Sequence, residues 1–86
     1  AKEWGLIWDV AEDCVGAALA MADKLAVMPT QALVATRHLL RDAGTRSLDA
    51  HLNVERDTQS ALGKTHDYME GVNAFLQKRA PQFKGE

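Results

Sequence analysis

The first ten residues contain a strand-like run that has no counterpart later in the sequence. Residues 6–10, LIWDV, are mostly branched or aromatic, and Gly5 precedes them as a turn residue. A lone strand leaves its backbone hydrogen-bonding groups unpaired, so it needs a sheet that these 86 residues do not supply. The segment is either coil or the end of a strand from a sheet outside the chain. We expect the second, which would make this chain the end part of a longer protein.

The composition limits the core that the chain can build by itself. Apolar residues make up 47% of the sequence, but 14 of them are alanine, and aromatic residues account for only 6%. Large side chains supply most of the apolar surface that a small domain buries. A chain of 86 residues therefore supports one small domain at most, with a thin core.

Charge and cysteine usage exclude several classes of protein. The 10 basic and 12 acidic residues give a net charge of −2, which argues against a nucleic-acid-binding protein. The single cysteine, Cys14, excludes an internal disulfide and a multi-cysteine metal site. No apolar stretch approaches the ~20 residues that span a bilayer. We expect a cytoplasmic protein without a metal, a membrane partner or a nucleic-acid partner.

After residue 10, apolar residues recur at helical spacing and predict an all-α fold of four helices. Proline or glycine ends each segment, and Thr30 and Ser47 are the expected N-caps of the second and third helices. Asp67 and Glu70 form a predicted capping box at the start of the fourth. With their caps, the predicted helices are residues 9–27, 30–44, 47–63 and 67–80.

Three patterns in the first three helices are compatible with chemistry, but each has a simpler interpretation. Cys14 borders an apolar stripe with no histidine nearby in sequence, so a buried structural thiol fits better than a nucleophile. Arg37, His38 and Arg41 share a polar face that is either solvated or able to bind phosphate. Glu55 lies in an apolar stripe, where a carboxylate can have a shifted pKa and act in catalysis. The simpler alternatives are that it pairs with an arginine or is exposed at the edge of an interface. No second carboxylate shares that setting and no catalytic motif is present, so we expect no catalytic residue.

The last two helices carry the strongest signals for partners. The third has apolar residues on two opposite sides, which indicates packing on two sides. In the fourth, Phe75 belongs to the apolar face and Lys78 lies one turn away at its edge. A ring beside a cation suits a ligand with a base and phosphate, such as a nucleotide. The alternative is that Phe75 is a core residue and Lys78 a surface residue.

A resemblance to a known family is carried by both ends of the chain. Residues 70–83 read EGVNAFLQKRAPQF and match, at every fixed position, E-G-x-x-A-F-x-x-K-R-x-P-x-F, the C-terminal signature of the enoyl-CoA hydratase/isomerase (crotonase) superfamily. Residues 1–10 resemble its A-x-x-x-G-L-V-x-x-V segment, and residues 29–30 and 52–55 agree as well, so the resemblance covers the whole chain. Within the superfamily, the chain is most similar to ring-1,2-epoxyphenylacetyl-CoA isomerases of phenylacetate degradation. Residues 4–8, 55–57 and 67–71 carry this closer similarity.

The resemblance implies a four-helix C-terminal crotonase-type domain with a short N-terminal strand remnant. Residues 1–10 would be the end of the catalytic core, and residues 11–86 the helices that build the oligomer and cover the active site. In this superfamily the missing N-terminal core holds the oxyanion-hole amides and the catalytic acids. The resemblance therefore implies that these groups are absent here and that the chain alone is inactive.

The resemblance also implies a ligand and partners. Phe75 and Lys78 match the positions at which the superfamily's last helix contacts the adenine and phosphate region of coenzyme A, whereas any role of Arg37 is open. The substrate would be an acyl-CoA thioester, with no other cofactor. The parent protein would be a trimer or a dimer of trimers, and the fragment a dimer or a swapped assembly. The alternative is a freestanding helical acyl-CoA-binding or dimerisation module without catalysis, although the Lys-Trp-x-x-Trp segment of such binders is missing from the helices.

Overall fold

Four α-helices account for most of the chain, which confirms the predicted all-α fold. The computed structural model describes all residues 1–86. A 3-10 turn, Ala43–Thr45, follows the second helix directly. The helices are α1 (Cys14–Ala26), α2 (Thr30–Asp42), α3 (Leu48–Leu62) and α4 (His66–Leu76).

The starts of α1 and α3 follow from capping side chains. The Asp13 carboxylate accepts a hydrogen bond from the Gly16 amide at 3.0 Å, so α1 begins later than the predicted residue 9. Ser47 caps α3 as predicted, because its hydroxyl accepts from the Ala50 amide at 3.2 Å. The predicted N-cap of α2 is wrong by one residue: Thr30 is already helical, and Pro29, with its extended backbone, is the N-cap and makes no side-chain cap bond.

Both predicted ends of α4 are wrong. Thr65, not Asp67, is the N-cap, and its hydroxyl accepts from the Tyr68 amide at 3.2 Å. Asp67 lies in the first turn, where its carboxylate binds the end of the chain instead. The helix ends at Leu76 rather than at residue 80, because Lys78 adopts a left-handed backbone conformation with φ 54°.

The strand predicted for the first ten residues is absent. The Gly5 amide donates to the Lys2 carbonyl, and the Leu6 amide to the Ala1 carbonyl, each at 3.1 Å, so the segment turns on itself. An ion pair between Lys2 and Asp9, at 2.8 Å, spans the turns. With no neighbouring strand, these local bonds are the only backbone pairing open to the segment.

The helices do not enclose a core of their own. Only Ala74 and Asp67 are buried, 2 of 86 residues. The radius of gyration is 16.0 Å, against about 12 Å for a compact domain of this length. Cys14 is exposed, so the predicted burial of its thiol is wrong, because nothing covers the stripe beside it. Large apolar side chains are exposed on all four helices: Val15, Leu19, Leu25, Val34, Leu40, Leu48, Leu52, Tyr68, Met69, Val72, Phe75 and Leu76.

The helices are also short and mixed in polarity. None of them combines the length and the hydrophobicity that crossing a membrane would require.

We predict that the 86-residue chain on its own self-associates through these faces, because they leave a large apolar surface in water. Sedimentation velocity over a range of concentrations should show the weight-average mass rising above the monomer mass of 9.4 kDa. The double substitution Leu48→Glu and Leu52→Glu should reduce the association, because both leucines are exposed on α3. A monomer at every concentration would contradict the prediction.

Candidate functional site

The last residues of the chain fold back along α4 and are held by one buried carboxylate. We call residues 80–86 the C-terminal tail. The backbone amides of Lys84 and Gly85 donate to Asp67 Oδ1 and Oδ2, each at 2.8 Å. In return, the Asp67 amide donates to the Glu86 carbonyl at 2.8 Å. The Asp67 side chain satisfies these donors while only 5% exposed, so it acts as an anchor for the tail.

A second carboxylate, one turn along α4, binds the start of the same segment. Arg79 forms a two-pronged ion pair with Glu70, with Nη1 2.7 Å from Oε2 and Nη2 3.0 Å from Oε1. Glu70 Oε2 also accepts from the Gln82 amide at 2.8 Å. The carboxylate therefore ties both Arg79, three residues beyond the helix, and the tail to the middle of α4.

Side-chain packing completes the attachment of the tail. A methyl group at Gly71 would lie 3.7 Å from the Phe83 ring, so the ring rests over the helix at its glycine. Gln31 Nε2 donates to the Gly85 carbonyl at 3.3 Å, which ties the tail to α2 as well. The family signature of residues 70–83 includes Glu70, Gly71, Arg79 and Phe83, and these contacts give each of the four a structural role.

Both anchoring carboxylates are stabilised in their charged forms. The guanidinium of Arg79, with the Gln82 amide, lowers the pKa of Glu70 from 4.5 to about 2. Burial acts to raise the pKa of Asp67, but the Lys84 and Gly85 amides and the His66 ring outweigh it and leave that pKa below its ordinary value. His66 Nδ1 lies 3.1 Å from Asp67 Oδ1.

The end of α4 has the hydrogen-bond pattern of a Schellman motif. The Lys78 amide donates to the Phe75 carbonyl at 3.2 Å, and the Arg79 amide donates to the Ala74 carbonyl at 3.0 Å. The left-handed residue of this motif is usually glycine, whereas here it is Lys78. Lys78 therefore lies beyond the helix, and its predicted position one turn along the helical face is wrong.

The structure still brings the two predicted ligand-binding residues together. Their backbones are joined by the Lys78–Phe75 hydrogen bond. The Phe75 ring is 82% exposed, so it is not a core residue in this structure. Arg79 is occupied by Glu70 and by Gln77 Oε1, at 2.9 Å, whereas Lys78 is exposed and makes no ion pair. Of the two adjacent cations, Lys78 is the one whose charge is free for a ligand.

An apolar groove of about 440 Å³ runs beside this ring. The start of α2, the end of α3 and the apolar face of α4 form its walls, and Phe83 of the tail closes one side. Its apolar lining residues include Pro29, Ala32, Leu62, Tyr68, Val72, Phe75, Leu76 and Phe83.

The other candidate groups do not converge on a site. Arg41 pairs with Asp42 at 3.0 Å, which neutralises part of the basic face on α2. Glu55 is half-buried and makes no ion pair, so the predicted arginine partner is absent. No group of three His, Cys, Asp or Glu side chains is arranged to hold a metal ion.

Comparison with known proteins identifies the family. A profile described as enoyl-CoA hydratase/isomerase matches residues 1–86. The chain belongs to the enoyl-CoA hydratase/isomerase family. This confirms the family resemblance predicted from the sequence.

The relatives are considerably longer than this chain. It is 44% identical over 88 residues to the 1,2-epoxyphenylacetyl-CoA isomerase of Escherichia coli K12, covering 100% of this chain and 34% of that protein. It is 40% identical over 87 residues to the 2,3-dehydroadipyl-CoA hydratase of the same organism, covering 99% of this chain and 34% of that protein. An enoyl-CoA hydratase structure from Polaromonas sp. JS666 superposes with a TM-score of 0.91 at 33% identity, covering 96% of this chain and 33% of that one. The chain thus spans about a third of the length of the relatives it matches.

Acid should release the tail, in a range set by the Glu70 pKa. Because that pKa is lower in the folded chain, the Glu70 contacts contribute fully above the ordinary value of 4.5 and are lost as the pH falls through about 2. We predict that the NMR shift of the Gln82 amide titrates with a midpoint near 2. In Arg79→Met the midpoint should move up towards 4.5. A midpoint already at the ordinary value in the unchanged chain would contradict the geometry.

The left-handed backbone of Lys78 allows a prediction about the stability of variants at this residue. Lys78→Gly removes the ammonium and relieves the strain, whereas Lys78→Ala removes the ammonium and keeps the strain. We expect the glycine variant to be more stable than the alanine variant by about 1 kcal/mol, measured by urea unfolding. Equal stabilities would indicate that residue 78 is not left-handed in solution.

Proposed function

We propose that this chain is the C-terminal helical part of a larger enoyl-CoA hydratase/isomerase that acts on acyl-CoA thioesters. Residues 1–10 would be the last residues of the catalytic core. Residues 11–86 would pack on that core and on neighbouring subunits of a homo-oligomer. The exposed apolar faces of all four helices support this proposal, since they lack partners within the chain. So does its coverage of 34% of both curated relatives.

The chemistry would then lie in the core and not in these helices. Stabilising a thioester enolate requires hydrogen-bond donors directed at the developing negative charge. The carboxylates of Asp67 and Glu70, the two that the structure holds most firmly, are both occupied by amides of the tail. We therefore propose that the core supplies both the donors and the catalytic acids.

The part of the substrate that this chain would contact is coenzyme A. The single observation that carries this proposal is the exposed Phe75 ring joined through the backbone to Lys78, which makes no ion pair. A ring can stack on adenine, and an ammonium can meet a phosphate as a point charge. Both curated relatives are named for reactions of CoA thioesters but with different acyl groups. The shared CoA moiety is thus the ligand that the proposal names.

We predict that Lys78→Gly in the complete protein weakens the binding of free coenzyme A about 3- to 10-fold, which is within the range of a typical net hydrogen bond. The glycine avoids the left-handed strain that alanine would retain. KM for the acyl-CoA substrate should rise while kcat stays unchanged, because the contact is remote from the reacting atoms. Isothermal titration calorimetry measures the first effect and steady-state kinetics the second.

Lys84→Ala is the matched control for charge. It also removes one lysine from the C-terminal region, and its contact with Asp67 uses only the backbone amide. This control should bind coenzyme A as the unchanged protein does. If Lys78→Gly bound as tightly as the unchanged protein, the CoA contact would be wrong. If the 86-residue chain alone bound coenzyme A as tightly as the complete protein, the freestanding-binder alternative would replace the proposal.

A further inference from the structure

Lys78, which carries the free ammonium, is fixed by the Phe75 backbone on one side and, through Arg79, by Glu70 on the other. On its N-terminal side, the Lys78 amide is bonded to the Phe75 carbonyl at 3.2 Å. On its C-terminal side, the guanidinium of Arg79 is held by both oxygens of Glu70 at 2.7 and 3.0 Å. Glu70 belongs to the same helix as Phe75, just over one turn before it.

These contacts compensate for an unfavourable backbone conformation. A non-glycine residue in the left-handed region costs roughly 1–2 kcal/mol, so Lys78 needs the bonds around it to stay there. The Arg79 amide closes the motif on the Ala74 carbonyl, and its side chain closes the larger ring to Glu70. Ala74 is one of the two buried residues, which makes this end of the helix one of the better-packed places in the chain.

From this arrangement we infer that Glu70 and Arg79 are positioning residues for the coenzyme A contact. They orient Lys78 beside Phe75 without contacting the ligand. The inference rests on the proposed function, because it needs Lys78 to bind coenzyme A. The inference adds Glu70 and Arg79, whose role would be to hold the Lys78 ammonium beside the Phe75 ring.

Glu70→Gln separates this role from simple electrostatics. Coenzyme A is an anion, so removing a nearby negative charge by itself should strengthen its binding. If the Glu70–Arg79 pair positions Lys78, the same substitution should weaken binding of free coenzyme A, by about 3-fold. The sign of the change in calorimetry therefore distinguishes the two explanations.

Asp67→Asn separates positioning from general loosening of the tail. Asp67 also holds tail amides, and it is the more buried of the two carboxylates, but it does not contact Arg79. We expect Asp67→Asn to lower the melting temperature at least as much as Glu70→Gln and to leave coenzyme A binding within 1.5-fold of the unchanged protein. Equal losses of binding in the two variants would overturn the inference in favour of a structural role for the tail.

A double-mutant cycle in the complete protein completes the test. In a Lys78→Gly background, Glu70→Gln should no longer weaken coenzyme A binding, because the group that it orients is gone. A full 3-fold loss in that background would overturn the positioning role while leaving the proposed function intact. No effect of Lys78→Gly itself would instead overturn the proposed function, so the two failures are distinguishable.

Discussion

Two carboxylates on one helix determine the shape of the C-terminal third of this chain. Asp67 and Glu70 accept three tail amides and one guanidinium between them, at 2.7 to 3.0 Å. Each carboxylate is largely withdrawn from water, with side-chain exposures of 5% for Asp67 and 14% for Glu70, and an unpartnered charge there would be costly. Leaving α4 would remove the tail amides from both carboxylates at once, so the tail is held at two points along the helix. The wall that Phe83 adds to the apolar groove depends on this attachment.

The remainder of the molecule has almost no hydrophobic core of its own. Its helices have apolar faces of ordinary helical spacing, yet only α2 and α3 form a close helix pair, and α1 and α4 contact the other helices much less. With two buried residues, the hydrophobic contribution that normally offsets chain entropy is small. The chain spans about a third of the length of the relatives it matches, and under the proposed function these apolar faces would pack against the rest of a longer protein.

The sequence predicts the four helices and both caps of α3, and it fails where distant residues or an unusual backbone conformation decide the structure. Ser47 and Gly63 bound α3 as predicted, because a cap depends on residues within one turn. Asp67 and Thr65 are both good capping residues, and the choice between them is made by amides 17 and 18 positions later, which no local pattern reveals. The spacing of Glu70 and Arg79, nine residues apart with opposite charges, is the only signal that could have suggested the ion pair. Lys78 was placed on the helix because a lysine rarely adopts the left-handed conformation that ends it. The Schellman closure bonds the Lys78 amide to the Phe75 carbonyl, and the shared coenzyme A contact of the two side chains stays a prediction.

The left-handed lysine also bears on how such sequences drift over time. At that backbone position glycine is the most stable choice, so mutation and selection for stability alone would favour its appearance. A lineage that keeps a charged side chain there bears a small, continuing cost in folding free energy. Under the proposed function, residue 78 is therefore subject to two opposed pressures: glycine would give the more stable helix end, and lysine is favoured only where a bound anion compensates for the strain.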